Sequence, residues 1–176
     1  ALAVAIGLTA AEAVAEPGVS DNRVVFGQSA ALEGPAASLG LGLRAGILAA
    51  FREANRGGGV HGRTLELISY NDDYEPEKAI VNTRRLIDED DVFALVGEVG
   101  TPTSLAAQPI AEEAGVPFVG PFTGAAGLRD PALTAVVNLR ASYDQEAEEL
   151  VRYLAEDLDL TRIAILYQDD SFGQAG

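Results

Sequence analysis

The residues best suited to binding a small polar molecule lie in two loops, VGTPTS (residues 99–104) and GPFTGAAG (residues 120–127). Each loop follows a short apolar run and carries no charged side chain. In the first loop, Pro102 suits the first helical position, which makes Thr101 the predicted N-cap and leaves the Thr103 and Ser104 amides among the unpaired donors of the first turn. Such a helix start can bind a carboxylate, and glycines in the second loop let backbone groups approach a ligand. On these residues alone, the loops could equally serve only to cap and to turn.

Several reaction chemistries lack the residues they need. The chain has no Cys and a single His, His61, which lies in the Gly-rich turn GGGVHGR. Thiol catalysis, disulfides and Cys-based metal sites are therefore excluded, and we interpret His61 as a solvated turn residue rather than a general base. The first strand–helix turn does not fit G-x-G-x-x-G, and neither the P-loop nor the G-x-S-x-G motif occurs. The sequence thus predicts neither an enzyme nor a bound cofactor.

Asp72 and Asp73, in YNDDYEP, are the acidic pair closest to a metal-binding pattern. They lack the spacing of a calcium loop, and carboxylates that precede a helix interact favourably with its dipole. We interpret them as helix-start acids and predict no metal site.

The net charge of −15 limits the partners of the chain. Such an acidic protein repels phosphate backbones and anionic bilayers, so nucleic acid and membrane surfaces are poor partners. Only Lys78 accompanies eleven Arg, which fits either a GC-rich genome or a saline habitat.

Residues 1–15, ALAVAIGLTAAEAVA, have the pattern of an export signal. They are too short for a membrane span, and Ala13-Val14-Ala15 fits a cleavage site before Glu16. No Cys follows to carry a lipid anchor. We predict an exported, unanchored, periplasmic protein whose sequence here is truncated at both ends; an alanine-rich surface helix is the alternative for residues 1–15.

The elements that position the two loops alternate between strands and helices. Short β-branched runs predict strands, and apolar residues spaced by three and four predict helices. This alternation indicates an α/β fold with a doubly wound parallel sheet, whose ligand site lies at the carboxyl ends of the strands. The predicted strands are RVVFGQS, RTLELIS, VFALVG, VPFVG, TAVVNLR and RIAILY; the helices are residues 38–55, 75–90, 102–114 and 142–158, the last opened by Ser142 and Gln145 in capping-box spacing.

The run from Arg23 to Gly173 resembles the periplasmic solute-binding proteins of branched-chain amino acid ABC transporters, the leucine/isoleucine/valine-binding type. The resemblance implies a type I periplasmic-binding fold, in which two α/β lobes close around a solute. It divides the chain into a leader (1–15), a linker (16–22), most of lobe one (23–141) and the start of lobe two (142–176). The matching phrases, in family order, are LEGPAASLG, ANRGGGVHGR, NDDYEPEKA, VGEVGTPTSLAAQPIAEEAGVPFVGPFTGA and RIAILYQDDSFG.

The resemblance also assigns ligand-binding roles. Thr101 matches the hydroxyl residue that holds the ligand carboxylate, and Phe122 matches the residue whose carbonyl accepts from the ligand ammonium. Gly124 stands where the family usually has Thr, and Thr123 is the candidate replacement. Leu39 stands at a wall position that is often aromatic, and Phe172 at that of a Tyr that packs over the ligand. The complete predicted site is Leu39, Val99, Gly100, Thr101, Thr103, Phe122, Thr123, Gly124 and Phe172.

The resemblance implies a receptor that delivers a small solute to an ABC permease. The solute would be a branched-chain amino acid, another amino acid or an amide. The alternatives are the ectodomain of a sensor with the same fold, which a membrane span after lobe two would reveal, and an exported enzyme, against which the lack of a nucleophile–base pair argues.

Overall fold

Five parallel strands form one sheet in the order β2-β1-β3-β4-β5. The computed structural model describes residues 16–176, and the predicted leader, residues 1–15, lies outside them. The parallel order confirms the doubly wound α/β fold. The strands are β1 (Arg23–Ala30), β2 (Thr64–Asn71), β3 (Ala94–Val96), β4 (Phe118–Val119) and β5 (Val136–Val137).

Three helices connect successive strands, and the four helices predicted from sequence begin within two residues of their predicted starts. Gly57 follows the first helix, and Gly115, with φ 70°, ends the third in the left-handed conformation that glycine adopts readily. None of the helices in residues 16–176 is long and apolar enough to cross a membrane. The helices are α1 (Ala37–Arg56), α2 (Pro76–Asp88), α3 (Thr101–Ala114), α4 (Tyr143–Arg152) and α5 (Ser171–Ala175), with a 3₁₀ turn at Ala126–Leu128 and a π-helical turn at Tyr153–Asp157.

The two faces of the sheet are covered by different helices. Val25 belongs to the buried cluster that includes Leu86 of α2 and Ala107 of α3. Phe26, the next residue of β1, points to the opposite face because side chains alternate along a strand, and its ring lies 5.1 Å from that of Phe51 of α1. This burial on both faces explains why the strands are apolar runs.

Helix α4 begins with the predicted capping box: the Ser142 hydroxyl accepts from the Gln145 amide, and the Gln145 side chain accepts from the Ser142 amide. Three apolar residues of the predicted helix 142–158 are only partly buried, since Leu150, Val151 and Leu158 are each about half exposed.

The prediction of a sixth strand, RIAILY, is wrong. Residues 161–168 have no regular structure, and Ile165 and Leu166 are 83% and 101% exposed. A strand needs a neighbour for its backbone N–H and C=O groups, and none of the strands in residues 16–176 pairs with this run.

Candidate ligand-binding site

A cavity of about 720 Å³ lies at the carboxyl ends of the strands. One side is formed by the segments that follow β1 to β4, including Val99 and Phe122, and the other by residues of α4 and by residues 168–172. The two loops predicted to share a site lie side by side, because Val99 bridges Phe122 in parallel and the Phe122 amide donates to the Glu98 carbonyl over 2.7 Å.

Five of the nine predicted site residues line this cavity: Leu39, Val99, Gly100, Phe122 and Phe172. Leu39, Phe122 and Phe172 present large apolar surfaces, with 46%, 39% and 40% of each residue exposed. Val99 and Gly100 are buried, so they form the floor. The ligand-binding role of these residues stays a prediction.

The other four predicted residues, Thr101, Thr103, Thr123 and Gly124, lie buried behind the cavity wall and do not line it. The hydroxyl oxygens of Thr101 and Thr123 lie 2.7 Å apart, and the Thr123 hydroxyl accepts from the Ala125 amide over 3.1 Å. Thr103 donates its hydroxyl to the Val99 carbonyl. All three hydroxyl groups are therefore hydrogen-bonded within the protein.

The predicted N-cap of α3 is wrong by one residue. Gly100 is the N-cap, with φ 104° and ψ 153°, and Thr101 is the first residue of the helix. The backbone at this position takes a conformation that glycine adopts and threonine does not. The cap therefore falls on Gly100, and the hydroxyl of Thr101 turns to Thr123 instead of capping. The Ser104 amide, which the sequence suggested would be unpaired, donates to the Gly100 carbonyl over 3.1 Å, and the Thr103 amide precedes this first donor of the helix, as expected at a helix start.

Two tyrosines occupy the space beside the two loop glycines. A Cβ on Gly100 would lie 2.4 Å from Cε2 of Tyr74, and one on Gly124 would lie 2.6 Å from Cδ1 of Tyr143. The Tyr143 amide also donates to the Gly124 carbonyl over 2.9 Å. The place where the resemblance implies a threonine side chain is thus filled by an aromatic ring that also lines the cavity.

Arg140 is the cavity residue that the sequence reasoning missed most clearly. It follows β5, and its guanidinium forms an ion pair with both carboxylate oxygens of Glu146. Its guanidinium carbon lies 5.4 Å from the ring centroid of Phe122 and 5.3 Å from that of Tyr143. The rule that ligands meet strand ends could have found it, because Arg140 ends the predicted run TAVVNLR.

A second arginine holds the backbone around Arg140. The Arg129 guanidinium donates to the carbonyls of Arg140 and Ala141, each over 3.0 Å, and to that of Gly124 over 3.3 Å. These bonds tie the segment after β5 to the loop after β4. Arg140 therefore enters the cavity from a fixed backbone position.

The sequence suggested that Asp72 and Asp73 act as helix-start acids, but neither residue caps a helix in the structure. Helix α2 has Glu75 as its N-cap, and Asp72 is buried in the loop before it, where it accepts from the Tyr74 amide over 2.9 Å. Asp73 instead forms an ion pair with Lys78. Asp73 and Tyr74 both have positive φ, 53° and 67°, which is rare for non-glycine residues. This loop conformation places the Tyr74 ring against Gly100.

Two buried carboxyl groups lie under the cavity floor. One Glu98 oxygen accepts from the Ser29 amide over 2.9 Å, and the other has no partner among the described residues. Asp72 accepts from the Ser29 hydroxyl over 2.8 Å. Burial, together with the nearby charge of Asp72, raises the pKa of Glu98 well above its ordinary value, and burial also raises the pKa of Asp72. Neither carboxyl group lines the cavity.

The chain is similar in sequence to known proteins. The sequence profile described as "Periplasmic binding protein" matches residues 23–176. The chain belongs to the periplasmic binding protein family. Similar curated relatives include an "Amino acid binding protein" of Pseudomonas aeruginosa, 26% identical over 151 residues, covering 86% of this chain and 40% of the relative. Another is "Leu/Ile/Val-binding protein homolog 7" of Brucella abortus, 29% identical over 179 residues, covering 97% of this chain and 44% of the relative.

Solved structures of the family share this fold. The "possible leucine/isoleucine/valine-binding protein" of Rhodopirellula baltica matches with a TM-score of 0.83 and 42% identity, covering 94% of this chain and 44% of that chain. A "substrate-binding periplasmic protein" of Ralstonia solanacearum matches with a TM-score of 0.81 and 33% identity, covering 86% and 43%. The chain therefore spans less than half the length of these family members.

Proposed function

We propose that this chain is part of an extracytoplasmic receptor that captures a small amino acid or amide-like solute and delivers it to an ABC permease. The observation that carries the proposal is the cavity at the carboxyl ends of the strands, which the two predicted loops share. Membership of the periplasmic binding protein family and the relatives' names support it. Of the site residues implied by the resemblance, the five that line the cavity belong to the proposal as ligand contacts, and the four buried behind it belong to the proposal as supports of its wall.

The composition of the cavity wall favours binding over catalysis. No Ser, Thr, Cys, His or Lys side chain among the described residues lines the cavity, so it offers no hydroxyl or thiol nucleophile of the Ser–His or Cys–His kind. Its wall instead combines apolar side chains with a few charged and amide groups, which is typical of a small-molecule site.

The charge of the cavity favours a zwitterion or a neutral amide over a dianion. Neither loop carries Lys or Arg, and the one cation that lines the cavity among the described residues, Arg140, is already neutralised by Glu146. Asp73 and Glu75 also line the cavity, and since Asp73 pairs with Lys78, it is Glu75 that leaves the cavity net negative. A phosphate would meet net negative charge here.

We place the protein outside the cytoplasm, exported by the signal predicted in residues 1–15 and without a lipid anchor. Export would match the location implied by the family name.

A thermal-shift screen of the full-length protein tests the proposal. The panel contains amino acids, aliphatic amides, urea and inorganic phosphate, each in excess over the protein. We expect an amino acid or amide to raise the melting temperature, because a solute that binds only the folded state stabilises it. Stabilisation by phosphate alone would overturn the proposal. Uptake of the solute by cells with and without the gene then tests delivery to a permease.

A further inference from the structure

The cavity is lined by an unusual share of the chain's aromatic residues. The sequence contains five Tyr and six Phe, and four of these eleven line the cavity: Tyr74, Phe122, Tyr143 and Phe172. They come from different segments of the fold, namely the loops after β2 and β4 and the helices α4 and α5. The chain folds so that these separate rings converge on one space.

The geometry of the rings is suited to a further ring. Tyr143 and Phe172 already meet edge to face, with centroids 5.7 Å apart. Burial, followed by the charges of Asp170, Tyr143 and Asp72, raises the pKa of Tyr74 to about 12, so its phenol is neutral at physiological pH. A planar ligand ring can pack against such faces and edges, and each aromatic pair adds to the stabilisation from burial alone.

Arg140 offers a preorganised partner for a carboxylate in the same space. Its bonds to Glu146 use Nε and Nη2, and within the described residues the Nη1 group has no hydrogen-bond acceptor. The guanidinium carbon also lies 5.4 and 5.3 Å from the ring centroids of Phe122 and Tyr143. Because Glu146 already orients the guanidinium, a ligand carboxylate that accepts from Nη1 binds with little further loss of side-chain entropy.

The remaining charges favour a ligand that also carries an ammonium group. Asp73, Glu75 and Glu146 line the cavity with Arg140, and the chain as a whole has a net charge of −15. A carboxylate without a cation would meet this negative field, whereas a zwitterion presents both signs.

We infer that the solute is an aromatic α-amino acid, with its ring among Tyr74, Phe122, Tyr143 and Phe172 and its carboxylate on Arg140. The inference rests on the proposed function and narrows its solute class. It departs from the branched-chain amino acids in the relatives' names, because an aliphatic side chain would pack against these rings without adding an aromatic pair.

Calorimetry on the full-length protein tests the inference with four probes. L-Phenylalanine is expected to bind at least about fivefold more tightly than L-leucine, because it adds aromatic contacts. Phenethylamine, which lacks the carboxylate, is expected to lose roughly ten- to a hundredfold relative to phenylalanine. Phenylacetate, which lacks the ammonium, is also expected to bind more weakly than phenylalanine.

Two matched variants separate Arg140 from a general effect of losing an arginine. Arg140→Gln is expected to weaken phenylalanine binding roughly ten- to a hundredfold. Arg85→Gln is the control, because Arg85 also pairs with a carboxylate, Glu89, and covers a ring, Tyr70, but lies outside the cavity. It should leave the affinity unchanged.

The outcomes distinguish this inference from the proposed function. Leucine binding as tightly as phenylalanine, or phenethylamine binding as tightly as phenylalanine, overturns the inference and leaves an amino acid receptor standing. Binding of no amino acid or amide overturns both. If Arg140→Gln does not fold, the phenethylamine comparison on the natural protein still decides whether the carboxylate contributes.

Discussion

The hydroxyl of Thr101, which the resemblance assigns to the ligand carboxylate, forms a hydrogen bond with Thr123 instead. Both side chains are fully buried, and their hydroxyl oxygens lie 2.7 Å apart. Thr101→Val keeps the shape and removes the hydroxyl, so the free energy of unfolding should fall by about 1 kcal/mol. The loss is modest because the Thr123 hydroxyl still accepts from the Ala125 amide and lies 3.3 Å from the Tyr143 hydroxyl.

Thr123→Val should be costlier, because it leaves the buried Ala125 amide without its side-chain acceptor. We expect a loss of about 2–3 kcal/mol for this variant. The double variant should lose about 1 kcal/mol less than the sum of the two single losses, since the shared bond is counted once. Thr101→Ser is the control that keeps the hydroxyl and should retain this coupling.

Urea unfolding of the full-length protein measures these free energies, and calorimetry of solute binding measures whether Thr101 also contributes to affinity. If the Thr101 hydroxyl only forms the hydrogen bond with Thr123, the Thr101→Val variant should keep its affinity for the solute to within about twofold while it loses stability. The result that refutes this reasoning is the reverse pattern: unchanged stability with an affinity at least about tenfold weaker. That pattern would show that the hydroxyl leaves Thr123 to hold the ligand carboxylate, as the resemblance implies.

Two further predictions concern buried groups beneath and beside the cavity. The pKa of Glu98 is raised in the folded state, so as pH rises above about 4.5 the Glu98 carboxyl loses its proton in the unfolded state before it does so in the folded state. Rising pH therefore favours unfolding, and between the two pKa values the free energy of unfolding should fall by up to about 1.4 kcal/mol per pH unit. Glu98→Gln can still accept from the Ser29 amide, and it should reduce this dependence of the free energy of unfolding on pH, measured by urea unfolding at several pH values. A smaller dependence, due to the raised pKa of Asp72, should remain. An unchanged dependence would contradict the assignment of the effect to Glu98. Gly100→Ala should cost roughly 2–4 kcal/mol in the same assay, from its positive φ and the clash with Tyr74, and a loss below about 0.5 kcal/mol would show that the loop adapts freely.

The sheet and its helices could be predicted from sequence because local periodicity and tertiary burial agree. Strand β1 is apolar on both faces, and α4 carries its own capping box, so each element is specified by its own residues. RIAILY shows where this agreement ends. Its composition is that of a buried strand, but pairing depends on a neighbouring strand, which a local pattern does not contain.

The site was predictable in location but only partly in composition. The rule that ligands meet the carboxyl ends of strands correctly brought Val99 and Phe122 together. Which side chains enter the cavity depends on loop conformation instead. With its positive φ, Gly100 rather than Thr101 is the N-cap, and the positive φ of Tyr74 directs its ring to the cavity floor. A periodic sequence pattern predicts neither angle.

Gly124 links a departure from the family pattern to the solute inferred here. At Gly124, a threonine side chain would collide with Tyr143, and at Gly100 any side chain would collide with Tyr74. Each glycine therefore allows a tyrosine from another segment to approach the cavity floor. At Gly124, this is an exchange of the hydroxyl side chain that the resemblance implies for an aromatic face. A Gly124→Thr variant reverses this exchange, and it should displace Tyr143 and weaken binding of phenylalanine more than that of leucine, as calorimetry on the full-length protein would measure. Equal weakening for both amino acids would show that Tyr143 shapes the cavity without selecting the ring.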